Sequence, residues 1–267
     1  MRRILFLPLG LAAILVGAVV SFGSTRAVQG PVELLPDLDA AAPYNLVIST
    51  SRGRFLLGFE SAADNIGTGP LLVDGARSNR ETPNMRVTQR VRLSDGSERR
   101  YPAGGVLRYV DSADHSHWHL LPFMRYELRG AKAAGSAQRD RKTGFCLGDR
   151  YETDELRRLA GEPPEGVLVG DCGRSEPELL RVEEGISVGY GDNYRPNLEG
   201  QYLDVTDLPA GRYTLVHRVN GSRTVRERSY ANNAASLLLS LRWPRGRTSE
   251  PDVATIARCP ARDRCGV

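Results

Sequence analysis

The sequence predicts an all-β protein: an antiparallel β-sandwich with long loops and at most one short helix. Three observations carry that expectation. Short runs rich in Val, Ile, Leu, Tyr and Phe recur along the body, Gly-, Pro- and Asp-containing turn material separates them, and only one segment has helical character.

After a proline-containing lead-in over residues 30–43, strands are expected at Tyr44 to Thr50, Phe55 to Phe59 and Leu71 to Val73. Met85 to Leu93 alternates in part, and Ser94-Asp95-Gly96-Ser97 supplies a turn in which Gly can take positive φ, so a hairpin to Tyr101 is expected. Val106 to Val110 and His119 to Leu128 read as further strands. Tyr151 to Pro177 breaks the rhythm as an insertion, and within it Asp154 to Gly161 is the helix candidate, stopped by Pro163 and Pro164. Tyr202 to Val205, a turn over Asp207 to Gly211, and Arg212 to Val219 form another hairpin, followed by a strand at Ser236 to Trp243. From Pro244 the chain turns polar and basic, as a surface tail would. No sharp boundary divides the body, so the expected organisation is a leader over 1–27, one β domain over 28–245 and a tail over 246–267.

Arg2 and Arg3 precede an uncharged apolar run from Ile4 to Val20, the pattern of an export signal. The run is long for a signal core and short for a membrane span, so cleavage and retention as an N-terminal anchor both stay open. Without Arg2, Arg3 and Arg26 the balance of 36 basic and 32 acidic residues becomes 33 and 32. A charge near zero gives no reason to invoke nucleic acid, and a membrane enters only if the leader is retained.

Four cysteines, Cys146, Cys172, Cys259 and Cys265, in a chain bound for an oxidising compartment predict two disulfides. Cys259 and Cys265 are close enough to close a small loop, which leaves Cys146 with Cys172. No C-x-x-C spacing suggests a zinc ribbon or a redox dithiol.

Three of the four histidines, His115, His117 and His119, occupy alternate positions. On a strand that spacing lines three imidazoles along one face, with Ser116 and Trp118 on the other. In an ideal strand the outer two Cα atoms lie roughly 13 Å apart, so convergence on one ion requires a bend, bulge or tight turn. Imidazoles without thiolate suit Cu(II), Zn, Ni or non-haem Fe, with Cu(II) at the top of the affinity order. His217 stands alone in an alternating strand and reads as an ordinary surface or packed residue.

Beyond the histidines, the chain resembles the lysyl oxidase family. The H-x-H-x-H run continues through Leu120 to Leu128, Lys142-Thr143-Gly144-Phe145-Cys146-Leu147-Gly148-Asp149 is similar to the family's K-x-x-F-C-L-x-D segment, and Gly185-Ile186-Ser187 leads through Gly189 and Asp192 to Tyr194. Gln201 to Asp207, Pro209 to Tyr213 and Tyr230-Ala231-Asn232-Asn233 complete the blocks in the family's order, over roughly residues 33 to 243.

That resemblance implies copper at His115, His117 and His119, and lysine tyrosylquinone formed from Lys142 and Tyr194. It implies an amine oxidase whose quinone condenses with a primary amine, either a lysyl side chain of a protein or a small amine. Molecular oxygen is the acceptor, and aldehyde, ammonia and hydrogen peroxide leave. Asp192, two residues from Tyr194, is the candidate base, although a Gly-Asp-Asn sequence also suits a simple turn.

The chain departs from the pattern where Tyr109 to Asp114 replace the family's tryptophans and cysteine, where Tyr190 and Gly200 replace cysteines flanking the quinone tyrosine, and in the insertion after Asp149. The competing expectation is an exported copper- or zinc-binding β-sandwich without a quinone, in metal handling or adhesion.

Overall fold

The computed structural model describes residues 30–112, 116–130, 139–154, 156–196, 198 and 200–265, with all of their side chains except those of Asp140 and Lys142. The leader expected over 1–27 and the expected ligand His115 fall outside the described residues.

The first strands are β1 (Glu33–Leu34), β2 (Leu38–Ala40), β3 (Tyr44–Ser51) and β4 (Arg54–Asn65). β5 (Leu71–Ala76), β6 (Asn84–Leu93), β7 (Glu98–Asp111), β8 (Ser116–Gly130) and β9 (Arg139–Phe145) follow. Beyond them lie β10 (Tyr151–Glu152), β11 (Arg181–Ile186), β12 (Tyr190–Tyr194), β13 (Tyr202–Asp204), β14 (Gly211–Val219), β15 (Ala234–Arg242) and β16 (Asp252–Cys259). The larger sheet runs β11-β5-β6-β7-β8-β14-β15-β16, with β1 on β6 and β9 on β8; the smaller runs β10-β12-β4-β13, with β2 and β3 also on β4. All pairings are antiparallel, as a chain of short strands and local turns dictates.

The period of two fixes which face is buried. In β6, Met85, Val87, Gln89, Val91 and Leu93 are buried, while Arg86 and Arg92 between them are exposed. Leu107, Leu120, Leu128, Leu215 and Leu237 of the larger sheet share one core with Leu38, Leu57 and Phe59 of the smaller. At its centre the Phe59 ring meets Tyr126 edge-on at 4.7 Å.

β8 positions the site and has three partners. β7 pairs with Ser116 to Leu121, β14 with Met124 to Gly130, and β9 with β8 from Leu120 to Leu128, with a register shift between Leu120 and Met124. The change of partner falls at the cis peptide bond between Leu121 and Pro122.

Two expectations need correction. Among its described residues, the segment Asp154 to Gly161 forms bends and a turn, not a helix. About two turns of chain cut off by prolines make too few i→i+4 hydrogen bonds to offset nucleation, and Arg158 and Glu162 pair across the turn at 3.4 Å. The C-terminal tail contributes β16, which hangs on β15 through backbone pairing and exposes much of both faces.

Both disulfides form as expected, Cys146 with Cys172 and Cys259 with Cys265. The cations are almost all arginine: the chain has 34 Arg and 2 Lys, Lys132 and Lys142, so Lys142 is the sole lysine among the described residues.

Candidate active site

His117 and His119 lie two apart on β8, opposite Val110 and Arg108 of β7, and so share one face of the strand. Their ring centres are 4.8 Å apart and both side chains are buried. Trp118, on the other face, is also buried: its indole N–H donates to the Glu176 carbonyl at 3.2 Å, and the Arg77 guanidinium lies over its ring. The expected bend through the run is not within β8, which pairs in regular register from Ser116 to Leu121; the residues before Ser116 lie outside the described set.

The histidine face meets Tyr194. His119 Nε2 is 3.3 Å from the Tyr194 hydroxyl, which also accepts the backbone N–H of Cys146 at 2.9 Å. The phenol ring stacks on Phe145, with ring centres 3.7 Å apart. Burial, reinforced by the nearby Asp192 charge, pushes the Tyr194 phenol well above its usual range.

Asp192 shares with Tyr194 one face of β12, which is anchored on β4 through Asp192 opposite Ala63 and Tyr194 opposite Ser61. Asp192 is 1% exposed. Its Oδ2 accepts the Gly148 N–H at 3.0 Å, and the Arg150 guanidinium lies 3.9 Å from Oδ1. Burial raises its pKa to about 8, against the opposing pull of Arg150. It is therefore part of a strand within a buried polar cluster, beyond what a turn former needs.

One short segment ties these groups together. The successive N–H groups of Cys146, Leu147 and Gly148 go to the Tyr194 hydroxyl, Glu184 Oε2 (3.1 Å) and Asp192 Oδ2. Asp149 then accepts the N–H groups of Val167, Leu168 and Ser187, fixing the segment against the insertion and the start of the β11–β12 connection. Glu184, Asp149 and Arg150 were missed as site residues by sequence reasoning. Asp149 stands in a quoted motif and offered a signal; Glu184 is one of two adjacent glutamates and offered none.

Lys142 lies on β9, opposite Arg125 of β8. The fold brings His117, His119, Asp192 and Tyr194 together, and the Lys142 side chain lies outside the described set. The loop after Tyr194 nonetheless rests on β9: a Cβ added at Gly200, where φ is +90°, would lie 2.5 Å from Thr143 Oγ1.

Other motif residues are structural. Gln201, Ser61 and Tyr126 close a buried three-way hydrogen-bond ring, with links of 2.7 to 2.9 Å. Asn233 donates to Glu227, and Asn232 to Asp37. His217 is packed: Nδ1 is 2.9 Å from the Ala41 carbonyl, and its ring stacks on Tyr126.

Two buried imidazoles this close suit a borderline divalent ion, with metal–nitrogen bonds of about 2.0 Å. Among the described residues no set of three His, Cys, Asp or Glu is assembled, and the expected third ligand, His115, lies outside them. The donor chemistry of His117 and His119 fits copper or zinc.

A two-sheet β-sandwich with a buried histidine pair against a buried tyrosine defines a class of metal-site candidate. The chain belongs to the lysyl oxidase family, whose model matches residues 74–242. It is similar to lysyl oxidase homolog 3B of Danio rerio, 29% identical over 138 residues, or 50% of this chain and 14% of that protein. Protein-lysine 6-oxidase of Gallus gallus is 28% identical over 151 residues, 56% of this chain and 31% of that protein. The corresponding protein of Sus scrofa is 28% identical over the same length, covering 53% of its chain. The match thus spans between about a seventh and about half of these relatives' own lengths.

Proposed function

We propose that this chain is an exported, copper-dependent amine oxidase that converts primary amines, lysyl side chains of proteins or small amines, to aldehydes. The observation that carries the reading is the 3.3 Å approach of His119 Nε2 to the Tyr194 hydroxyl, which joins the metal-ligand candidates to the quinone candidate. Family membership and the two disulfides support it. Copper would be held by His115, His117 and His119, and lysine tyrosylquinone would derive from Lys142 and Tyr194. Together these groups supply an electrophilic carbonyl for the amine and a route for its electrons to molecular oxygen, with ammonia and hydrogen peroxide as products.

The chain's own residues supply position and proton handling. Phe145 fixes the plane of the Tyr194 ring, and the Cys146 N–H fixes its hydroxyl. Asp192, made more basic by burial, is proposed to take the proton from the carbon bearing the amine. Lys142 is proposed to join Tyr194 from β9, against which the loop after Tyr194 packs at Thr143. The domain at 28–245 is proposed to carry the activity, with 1–27 directing export or anchoring the chain.

The test is to express the chain with copper in air and look for visible quinone absorbance and a peptide cross-linked between residues 142 and 194. Stoichiometric metal without the cross-link sinks the oxidase reading and leaves a metal-binding β-sandwich.

A further inference from the structure

We infer that Glu184 is a positioning residue for Asp192 and Tyr194: by anchoring the Leu147 amide, its carboxyl aims the amides on either side at those two groups. The inference rests on the reading of Asp192 and Tyr194 as reactive groups.

The geometry is one of alternation. In an extended segment, successive N–H groups point to opposite sides. Those of Cys146 and Gly148 go to Tyr194 and Asp192, both on β12, while the N–H between them goes to Glu184 on β11. Glu184 lies opposite Val73 of β5, so it ties the segment to the larger sheet while its neighbours tie it to the smaller. The Gly185 N–H returns to the Leu147 carbonyl at 3.3 Å, so residue 147 is gripped at both its donor and its acceptor. Without Glu184 the buried Leu147 N–H would lack its acceptor, and the peptide plane would be free to turn towards another. That turn would carry the Cys146 and Gly148 amides off their targets.

Glu184 is 5% exposed, and among the described residues its second oxygen, Oε1, has no hydrogen-bond partner. A buried carboxylate left in that state would be costly, whereas a neutral acid needs less solvation. Burial, with the Asp192 charge adding to it, pushes the carboxyl well above the usual range. A glutamine is then a close mimic of the group at work, with an amide oxygen to accept from Leu147.

The experiment compares the full-length wild type with E184Q, E184D and E184L. Amide hydrogen exchange over residues 146–148 is measured without copper, and formation of the 142–194 cross-link is measured with it. Wild type and E184Q should exchange alike and cross-link at similar rates. E184D, too short to reach the Leu147 amide, and E184L should speed exchange at Cys146 and Gly148 at least tenfold and cut cross-link yield by a similar factor. Unchanged exchange in both E184D and E184L overturns the inference, as does E184Q behaving like E184L. If E184L does not fold, E184D and E184Q decide. Failure of the wild type to cross-link counts against the oxidase reading alone, because the exchange comparison needs no cofactor.

Discussion

The backbone carbonyl of Cys172 accepts the N–H of Trp118 at 3.0 Å, at the residue between the two buried histidines. Its disulfide partner, Cys146, donates its own N–H to the Tyr194 hydroxyl. The disulfide therefore links two backbone groups, one hydrogen-bonded to the strand that carries the histidines and the other to the hydroxyl that His119 approaches. Replacing both cysteines with serine should lower unfolding stability by roughly 3 kcal/mol, from a loop of 26 residues. It should also weaken metal binding, with urea titration reading the first effect and metal competition the second. Loss of stability with unchanged metal affinity would show that the link serves folding only.

Tyr194→Phe keeps the ring that stacks on Phe145 and removes only the hydroxyl. The cost should be about 1–2 kcal/mol, from the Cys146 N–H left without its acceptor. Metal should still bind, while quinone absorbance disappears. His117→Ala should abolish both, and retention of metal by that variant would remove His117 from the ligand set.

Glu227 lies in the loop between β14 and β15 with its side chain buried, where it accepts from Asn233 and from the Leu38 N–H, each at 2.7 Å. Burial raises its pKa to about 7 from an ordinary 4.5. The folded state therefore binds the proton more tightly than the unfolded chain. The stabilisation is complete below about pH 4.5 and is lost as pH rises through about 7, for a total of roughly 3 kcal/mol. His217 has the opposite sign: burial lowers its pKa to about 4, so stability rises with pH from about 4 to 6.5. Comparing wild type with E227Q cancels the His217 contribution. The wild type should lose ground to E227Q between pH 4.5 and 7 in urea unfolding, and a gap independent of pH would refute the assignment.

Much of the sandwich was legible because one-sided burial leaves an alternating trace, as in Met85 to Leu93. β16 left no such trace: Val253 and Ile256 are each partly or largely exposed, and the strand is held by backbone pairing to β15, which side-chain pattern does not encode. The histidine spacing and the Tyr194 block were visible locally. The approach of His119 to Tyr194 spans 75 residues and that of Leu147 to Glu184 spans 37, so those contacts arise only when the sheets come together.

The scarcity of lysine acquires a meaning under the proposed chemistry. A quinone carbonyl is attacked by neutral primary amines, and a guanidinium, protonated at any ordinary pH, is not one. With arginine at exposed positions such as Arg86 and Arg92, the described surface offers the enzyme almost nothing of its own to oxidise. Arg86→Lys with Arg92→Lys should preserve the fold and create aldehydes at both positions, with covalent oligomers accumulating in copper-loaded samples, as mass spectrometry and denaturing gels would read. Lysines left unmodified beside active turnover of a small amine would refute the idea. Under the proposed chemistry, an arginine coat would act as chemical insulation, leaving neighbouring copies of the oxidase without amines to offer one another.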